Sequence, residues 1–162
     1  MIVHMRIDNR LIHGQVTVTW VSSLGADHLM VVNDEVADDP IQKTMLPMAA
    51  RGVKTSVLSI EDAVRHCKEA LDKEKIMIIA KFPSDALALL EKGIEPKEIN
   101  VGNQAPLPGT KYKMVTKSIA VTPDDARIYR RINELYHLTS QMIPSDSKKD
   151  FINQQKIKKS QF

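Results

Sequence analysis

From residue 75 to 80 the chain reads Lys-Ile-Met-Ile-Ile-Ala, and Ile76, Met77, Ile78 and Ile79 leave no alternate position polar. A strand of that kind has no face to offer water and belongs in a sheet covered by helices on both sides. Four more short runs rich in apolar or β-branched residues lie at 2–7, 28–32, 55–58 and 98–101. Between them, 15–24, 40–50, 60–71 and 84–91 carry apolar residues at helical spacing. Strand and helix in alternation predict an α/β fold, an open and mostly parallel sheet of six or seven strands with helices on both faces. In the last third, 117–121 reads as a short strand and Thr122 as the cap of a helix over 123–135. A closing strand over 137–143 is free to run antiparallel at an edge.

The boundaries carry their own chemistry. Asp38 and Asp39 precede Pro40, which suits the first turn of a helix. Ser59, with Asp62 three residues on, reads as an N-cap, and Ser84 after Pro83 reads in the same style. Gly25 and Gly93 stand where helices should stop.

Ligands of open α/β sheets bind beyond the carboxyl ends of the strands. Here those ends bring up residues 8–13, Asn33 and Asp34, Ser59, Lys81 and Phe82, then Gly102 and Asn103. The first is the most informative: Arg6-Ile7-Asp8-Asn9-Arg10-Leu11-Ile12-His13-Gly14-Gln15-Val16. It places His13 beside a helix N-terminus, where free N–H groups and the helix dipole favour an anion such as a phosphoryl group. The same positive end disfavours imidazolium and so keeps the ring a neutral nucleophile. Gly14 removes a Cβ where backbone must approach phosphate, and Arg10 offers a planar, always-charged fork. Asp8 either hydrogen-bonds Arg10 or orients a ring nitrogen of His13, and Arg6, on the same strand face, pairs with Asp8. The stretch reads as a histidine that accepts phosphate covalently. Asn33, Asp34, Ser59 and Lys81 are at the same edge by topology alone and serve equally as caps.

The 162 residues are one domain's worth, and the charge is concentrated. Residues 145–162 hold five lysines against two aspartates, whereas 1–144 carry 18 basic and 18 acidic groups. A neutral body with 4% aromatic residues argues against nucleic acid as a partner. We expect a domain over 1–144 and a basic tail over 145–162, partly disordered or in weak electrostatic contact with an anionic membrane leaflet. The single cysteine, Cys67, excludes an internal disulfide and suits a reducing compartment, with the thiol an inert helix residue. His4, His28, His66 and His137 form no i, i+3 or i+4 pair, so no metal site is expected. No signal-peptide pattern opens the chain, and the expectation is a cytoplasmic protein.

The segment RIDNRLIHGQV resembles the phosphorylation site of the IIB components of the mannose/fructose/sorbose class of the bacterial sugar phosphotransferase system. The resemblance extends through VVNDEVADDPIQKTMLPMAA, KFPSDALALLEKGI, INVGN and QMIPSD, over roughly residues 1–150. It implies that His13 takes a phosphoryl group from a IIA component, on Nδ1, and gives it to a sugar bound by the membrane subunits IIC and IID. Mannose, fructose, sorbose and N-acetylgalactosamine are all within the class. Arg10 would bind the phosphate, and the amides of Leu11, Ile12, His13, Gly14 and Gln15 would cradle it. No metal or organic cofactor is implied; attachment to the inner face of the membrane through the permease is, and a homodimer is left open. Gln104-Ala105-Pro106 after Asn103 departs from the family pattern, which leaves that loop without a role. Two rivals share the sheet. A flavodoxin-like nucleotide- or flavin-binding module is opposed by a first turn lacking G-x-G-x-x-G and G-x-x-x-x-G-K-[ST]. A non-catalytic adaptor is opposed by the presence of both Arg10 and His13.

Overall fold

The computed structural model describes residues 1–154 and 157. In chain order it contains β1 (Ile2–Asp8), α1 (Gln15–Leu24), β2 (His28–Val32), α2 (Asp34–Asp38), α3 (Pro40–Ala49), β3 (Thr55–Leu58), α4 (Ile60–Ala70), β4 (Ile76–Ala80) and α5 (Pro83–Glu91). There follow β5 (Ile99–Asn103), β6 (Lys113–Met114), β7 (Ala120–Val121), α6 (Pro123–Leu135), β8 (Thr139–Ser140), β9 (Lys149–Asp150) and α7 (Phe151–Gln154). Seven strands form the main sheet in the order β3-β2-β4-β1-β5-β8-β9, parallel throughout except that β9 runs antiparallel to β8. β6 and β7 make a separate antiparallel pair.

Period-two alternation divides each strand between two cores. Met5 and Ile7 of β1, Met30 and Val32 of β2, and Ile76, Ile78 and Ala80 of β4 pack with α4, α5 and α6. Leu29, Val31, Met77 and Ile79 point the other way, under Trp20 and Val21 of α1 and Val36 of α2. The unbroken apolar run of β4 is therefore explained by two covered faces. On β1 the residues in the alternate places are His4, Arg6 and Asp8, all buried. The strand carries three polar side chains into the α1 face of the molecule, and the functional site grows from them.

Most expected boundaries hold. Asp39 caps α3, with Oδ1 accepting from the amides of Ile41 (3.0 Å) and Gln42 (3.4 Å). Ser59 Oγ accepts from Asp62 N at 3.1 Å, and Thr122 Oγ1 from Asp125 N at 3.0 Å. Other expectations need correction. Helix α5 starts one residue early, with Pro83 in its first turn and Phe82 before it. Asp85, not Ser84, completes that start by accepting from Phe82 N at 3.1 Å. Five-residue α2 is too short to show a period. The expected strand over 137–143 shrinks to Thr139–Ser140, and it runs parallel to β5.

The basic segment expected to begin at 145 contains the antiparallel edge strand and part of the core. Phe151 is fully buried against the Tyr129 ring, centroids 4.8 Å apart and edge to face. Ile152 and Ile157 join the same core. The expectation of disorder and membrane contact covers 145–162; of that segment, residues 155, 156 and 158–162 lie outside the described residues. Truncating a buried phenylalanine removes its transfer energy and leaves a cavity. Phe151→Ala should therefore lower unfolding free energy in urea by about 3–5 kcal/mol; an unchanged midpoint would mean that the segment after 144 does not pack.

Candidate functional site

The site begins with a buried arginine. Arg6 Nη1 donates to the Gln141 carbonyl (2.7 Å) and Nη2 to that of Met142 (3.0 Å), while its guanidinium lies 4.8 Å from the centre of the Trp20 ring. Trp20 Nε1 donates to the same Met142 carbonyl at 2.9 Å. Gly102 on the neighbouring strand makes room, since a Cβ there would stand 2.1 Å from Arg6 Cζ. Burial pushes the Arg6 pKa down to about 10, with Asp8 opposing the fall, so the group stays charged at neutral pH. Its Nε lies 3.4 Å from Asp8 Oδ2.

Asp8 is fully buried at the end of β1, and its two oxygens divide the neighbourhood between them. Oδ1 accepts from the Arg10 amide at 3.0 Å and lies 3.6 Å from Arg10 Nε. Oδ2 lies 3.9 Å from His13 Nε2. The two roles left open for Asp8 are thus compatible, because one oxygen serves each partner. Oδ2 and Nε2 are both buried without a hydrogen bond, and they face one another. A closure of about 1 Å would pair them at ordinary hydrogen-bond length.

A strained turn then sets the ring. Leu11 is buried with φ 63°, the left-handed region that costs a branched residue roughly 1–3 kcal/mol and recurs at functional loops. Its amide closes the turn onto Asp8 O (3.2 Å), and its carbonyl lies 3.3 Å from His13 Nδ1. Gly14, at φ 61° and ψ −135°, precedes α1 in a conformation open to glycine alone. The His13 amide donates to Thr17 Oγ1 at 3.1 Å. This corrects the expected cradle: the Leu11 amide is engaged by Asp8 O and the His13 amide by Thr17 of α1. Those of Ile12, Gly14 and Gln15 make no hydrogen bond among the described residues.

His13 is half-buried, and burial is the chief cause of its lowered pKa. Asp8 and the Leu11 carbonyl pull the other way, while Arg10 and Arg6 lower it further. The ring is neutral near pH 7, with an unprotonated nitrogen available for attack. Arg10, 37% exposed, can reach a ligand beside it; Arg6, 2% exposed, cannot.

Sequence reasoning missed the contributors that come from elsewhere in the chain. Asn9 clasps the loop after β5, donating to Ala105 O (3.0 Å) and accepting from Ala105 N (2.9 Å). With its side-chain oxygen and nitrogen exchanged, the orientation that satisfies both, the Asn103 amide donates to Ser118 O and accepts from Arg10 Nε, both at 3.2 Å. The segment around Asn103 thus holds Arg10 in place. Arg51, after α3, donates to Gln15 Oε1 at 3.1 Å and lies 3.8 Å from where a Gly14 Cβ would be. Only the position of Asn103 at a strand end signalled any of this.

The remaining expected edge residues have structural work. Asn33 caps α2 through the Val36 amide (3.0 Å) and donates to Asp85 Oδ2 (2.9 Å). Asp34 accepts from Ile60 N at 2.9 Å, and Ser59 is the α4 cap. The Lys81 carbonyl accepts from Gln104 Nε2 at 2.9 Å. Cys67 is inert by environment, its thiol pushed up to about 11 chiefly by burial.

The family model described as the sorbose-subfamily IIB component of the phosphotransferase system matches residues 2–162. The N-acetylgalactosamine-specific phosphotransferase enzyme IIB component 2 of Escherichia coli is 38% identical over 125 residues, 76% of this chain and 78% of that one. The fructose-specific EIIB component of Bacillus subtilis is 32% identical over 158 residues, 93% of each. The crystal structure of the IIB domain of the sorbose permease from Klebsiella pneumoniae superposes with a TM-score of 0.88 at 32% identity, covering 95% of each chain.

The electrostatics of the loop can be checked directly. In wild type, His13 should titrate below the ordinary 6.5, and Asp8→Asn should lower it further, because the Asp8 carboxylate is the strongest influence holding it up. Following the ring Cε1 proton by NMR against pH tests this; a rise in Asp8→Asn would reverse the assignment.

Proposed function

The chain belongs to the sorbose subfamily of IIB components of the sugar phosphotransferase system, and from that premise we propose that His13 is its phosphoryl carrier. Components of this kind are phosphotransferases of sugar uptake. The observation that supports the reading most is the pairing of His13 Nε2 with the carboxylate Asp8, 3.9 Å away and itself held by Arg6 and Arg10.

With its hydrogen on Nε2, facing Asp8, His13 presents the Nδ1 lone pair. In this tautomer Nδ1 has no hydrogen to give the Leu11 carbonyl 3.3 Å away, so the ring turns from that oxygen and Nδ1 attacks phosphorus on a phosphohistidine of the IIA partner. The new N–P bond forms as the donor's N–P bond breaks, and the Nε2 proton stays in place. The ring of the phosphohistidine is then cationic, and Asp8 offsets that charge. Arg10 grips the phosphoryl oxygens in a fork, the amides of Ile12, Gly14 and Gln15 point at them from the start of α1, and Arg51 adds a second guanidinium. Catalysis is positioning and electrostatic stabilisation.

In the return step a sugar hydroxyl held by the membrane subunits IIC and IID attacks the phosphorus. The O–P bond forms as the Nδ1–P bond breaks, His13 leaves neutral with its Nε2 hydrogen, and the hydroxyl proton is released to solvent. The sugar is of the mannose, fructose, sorbose or N-acetylgalactosamine type. No helix among the described residues is long and apolar enough to cross a membrane. The chain works on the cytoplasmic side, held at the membrane's inner face by the permease, and needs no metal or organic cofactor for transfer.

Phosphoenolpyruvate, the general phosphotransferase proteins and a cognate IIA should place one acid-labile phosphoryl group on wild type, seen by intact mass, and none on His13→Ala. Labelling of His13→Ala would move the carrier elsewhere. Arg10→Lys should fold normally yet transfer about 10²-fold more slowly, since an ammonium has no planar fork; a wild-type rate in rapid-quench assays would remove Arg10 from the mechanism.

A further inference from the structure

Phosphoryl transfer uses the end of the sheet where β1 stops; a second set of polar side chains converges at the opposite end, where the strands begin. His28 opens β2, His66 lies on α4, and Glu74 sits in the turn leading to β4. The sequence reading found no histidine pair because 38 positions separate these two, but the fold stacks their rings edge to face with centroids 5.0 Å apart. Both point at one carboxylate. His28 Nδ1 is 3.2 Å from Glu74 Oε1, and His66 Nε2 is 2.7 Å from Oε2. One ligand atom from each of the three residues lies within 4.8 Å of the others.

Two imidazole nitrogens and a carboxylate oxygen are a donor set that zinc prefers, and ligands about 2.0–2.2 Å from a tetrahedral ion stand about 3.3 Å apart. The 3.2 Å between His28 Nδ1 and Glu74 Oε1 matches that, whereas His66 Nε2, now hydrogen-bonded to Oε2 at 2.7 Å, would move outward to admit the ion. His28 is also oriented from behind, because its Nε2 is 2.8 Å from Ser56 Oγ. With the hydrogen shared there, Nδ1 turns a lone pair toward the centre of the cluster, the arrangement that tunes histidine ligands in metal sites. His66 and Glu74 line a shallow open cavity of about 320 Å³ with Glu69, Ala70 and Lys73. It gives an ion a route in and leaves one position for water.

We propose that His28, His66 and Glu74 form a zinc site of three protein ligands and one water, at the end of the sheet remote from His13. Lys54 Nζ, 2.5 Å from Glu74 Oε1, competes with the ion for the carboxylate, and at 61% exposure it can swing into solvent. The ion would tie the start of β2 to α4 and to the approach of β4, and by binding only the folded chain it would stabilise it. The proposal does not depend on the reading of His13.

Titration of the untagged full chain with Co²⁺ tests it. One equivalent should give visible d–d bands of tetrahedral strength, displaced by Zn²⁺, and the midpoint of thermal unfolding should rise with Zn²⁺. His66→Gln, with unchanged circular dichroism, should weaken binding by more than about tenfold, and His137→Ala should not affect it. Lys54→Met should tighten it, an effect that scattered surface histidines would not produce. Absence of the bands, bands that survive in His66→Gln, or an affinity indifferent to Lys54→Met would each overturn the site. Phosphoryl transfer through His13 stays measurable in all three variants, so failure here leaves the carrier reading intact.

Discussion

The ion pair between Arg6 and Asp8 is the constraint on which the rest of the site depends. Two opposite charges on alternate residues of a central strand are carried into the interior, 2% and 0% exposed, and removing either alone would strand the other, at a cost of about 3–5 kcal/mol. Keeping Arg6 there demands much of distant chain. Gly102 must lack a side chain, the carbonyls of Gln141 and Met142 must turn inward, and Trp20 must cover the guanidinium. Those demands lock β5, the segment after β8 and α1 around the end of β1. A buried pair of this sort contributes less to stability than to arrangement; here it fixes the carboxylate that meets both Arg10 and His13.

Asp8 reaches its partners with a division of labour that one oxygen could not manage. Oδ1 satisfies the Arg10 amide and stands near its guanidinium, so the arginine nearest the exposed ring is aimed by the loop. Oδ2 is left facing Arg6 and His13. Burial and two arginines press His13 toward neutrality, and the one carboxylate resists them. For the proposed carrier, that balance would suit a group uncharged when it attacks and cationic once substituted, because the same Asp8 that raises the pKa would offset the later charge. A strained Leu11 and a glycine at Gly14 are the backbone cost of bringing the ring to the head of α1.

Much of this was legible in the residues. The first five strands and four of the helices are long enough for their apolar period to show, and capping residues such as Asp39, Ser59 and Thr122 mark starts that the structure confirms. Strands of two residues, and a five-residue helix of little more than one turn, carry no period, so α2, β6, β8 and β9 were missed or misdrawn. The basic segment after 144 misled for a related reason: its lysines dominate the composition, while Phe151, Ile152 and Ile157 supply the burial. In the site, Asp8, Arg10, His13 and Gly14 were readable because they are contiguous on one loop. Asn103, Arg51 and the Met142 carbonyl arrive from 38 to 129 residues beyond His13, and no spacing rule in a single sequence joins them.

The two ends of the sheet show how the same side chains come to different chemistry through surroundings alone. At the end of β1, one carboxylate stands among two arginines and a histidine, an excess of positive charge that invites an anion. At the start of β2, one carboxylate stands between two imidazoles, and Lys54, mostly in solvent, brings a fixed positive charge to it. Glu74 is held down to about 2 by these donors, Lys54 foremost, so it is an anion near neutral pH. Parallel strands force this polarity on the fold, since every strand begins at one end and finishes at the other. The loops that leave the finishing end run into helix N-termini and attract phosphate; the turns that enter the starting end follow helix C-termini, where the backbone offers carbonyls and favours cations. A site for an anion and a site for a cation can therefore occupy one small sheet without sharing a residue.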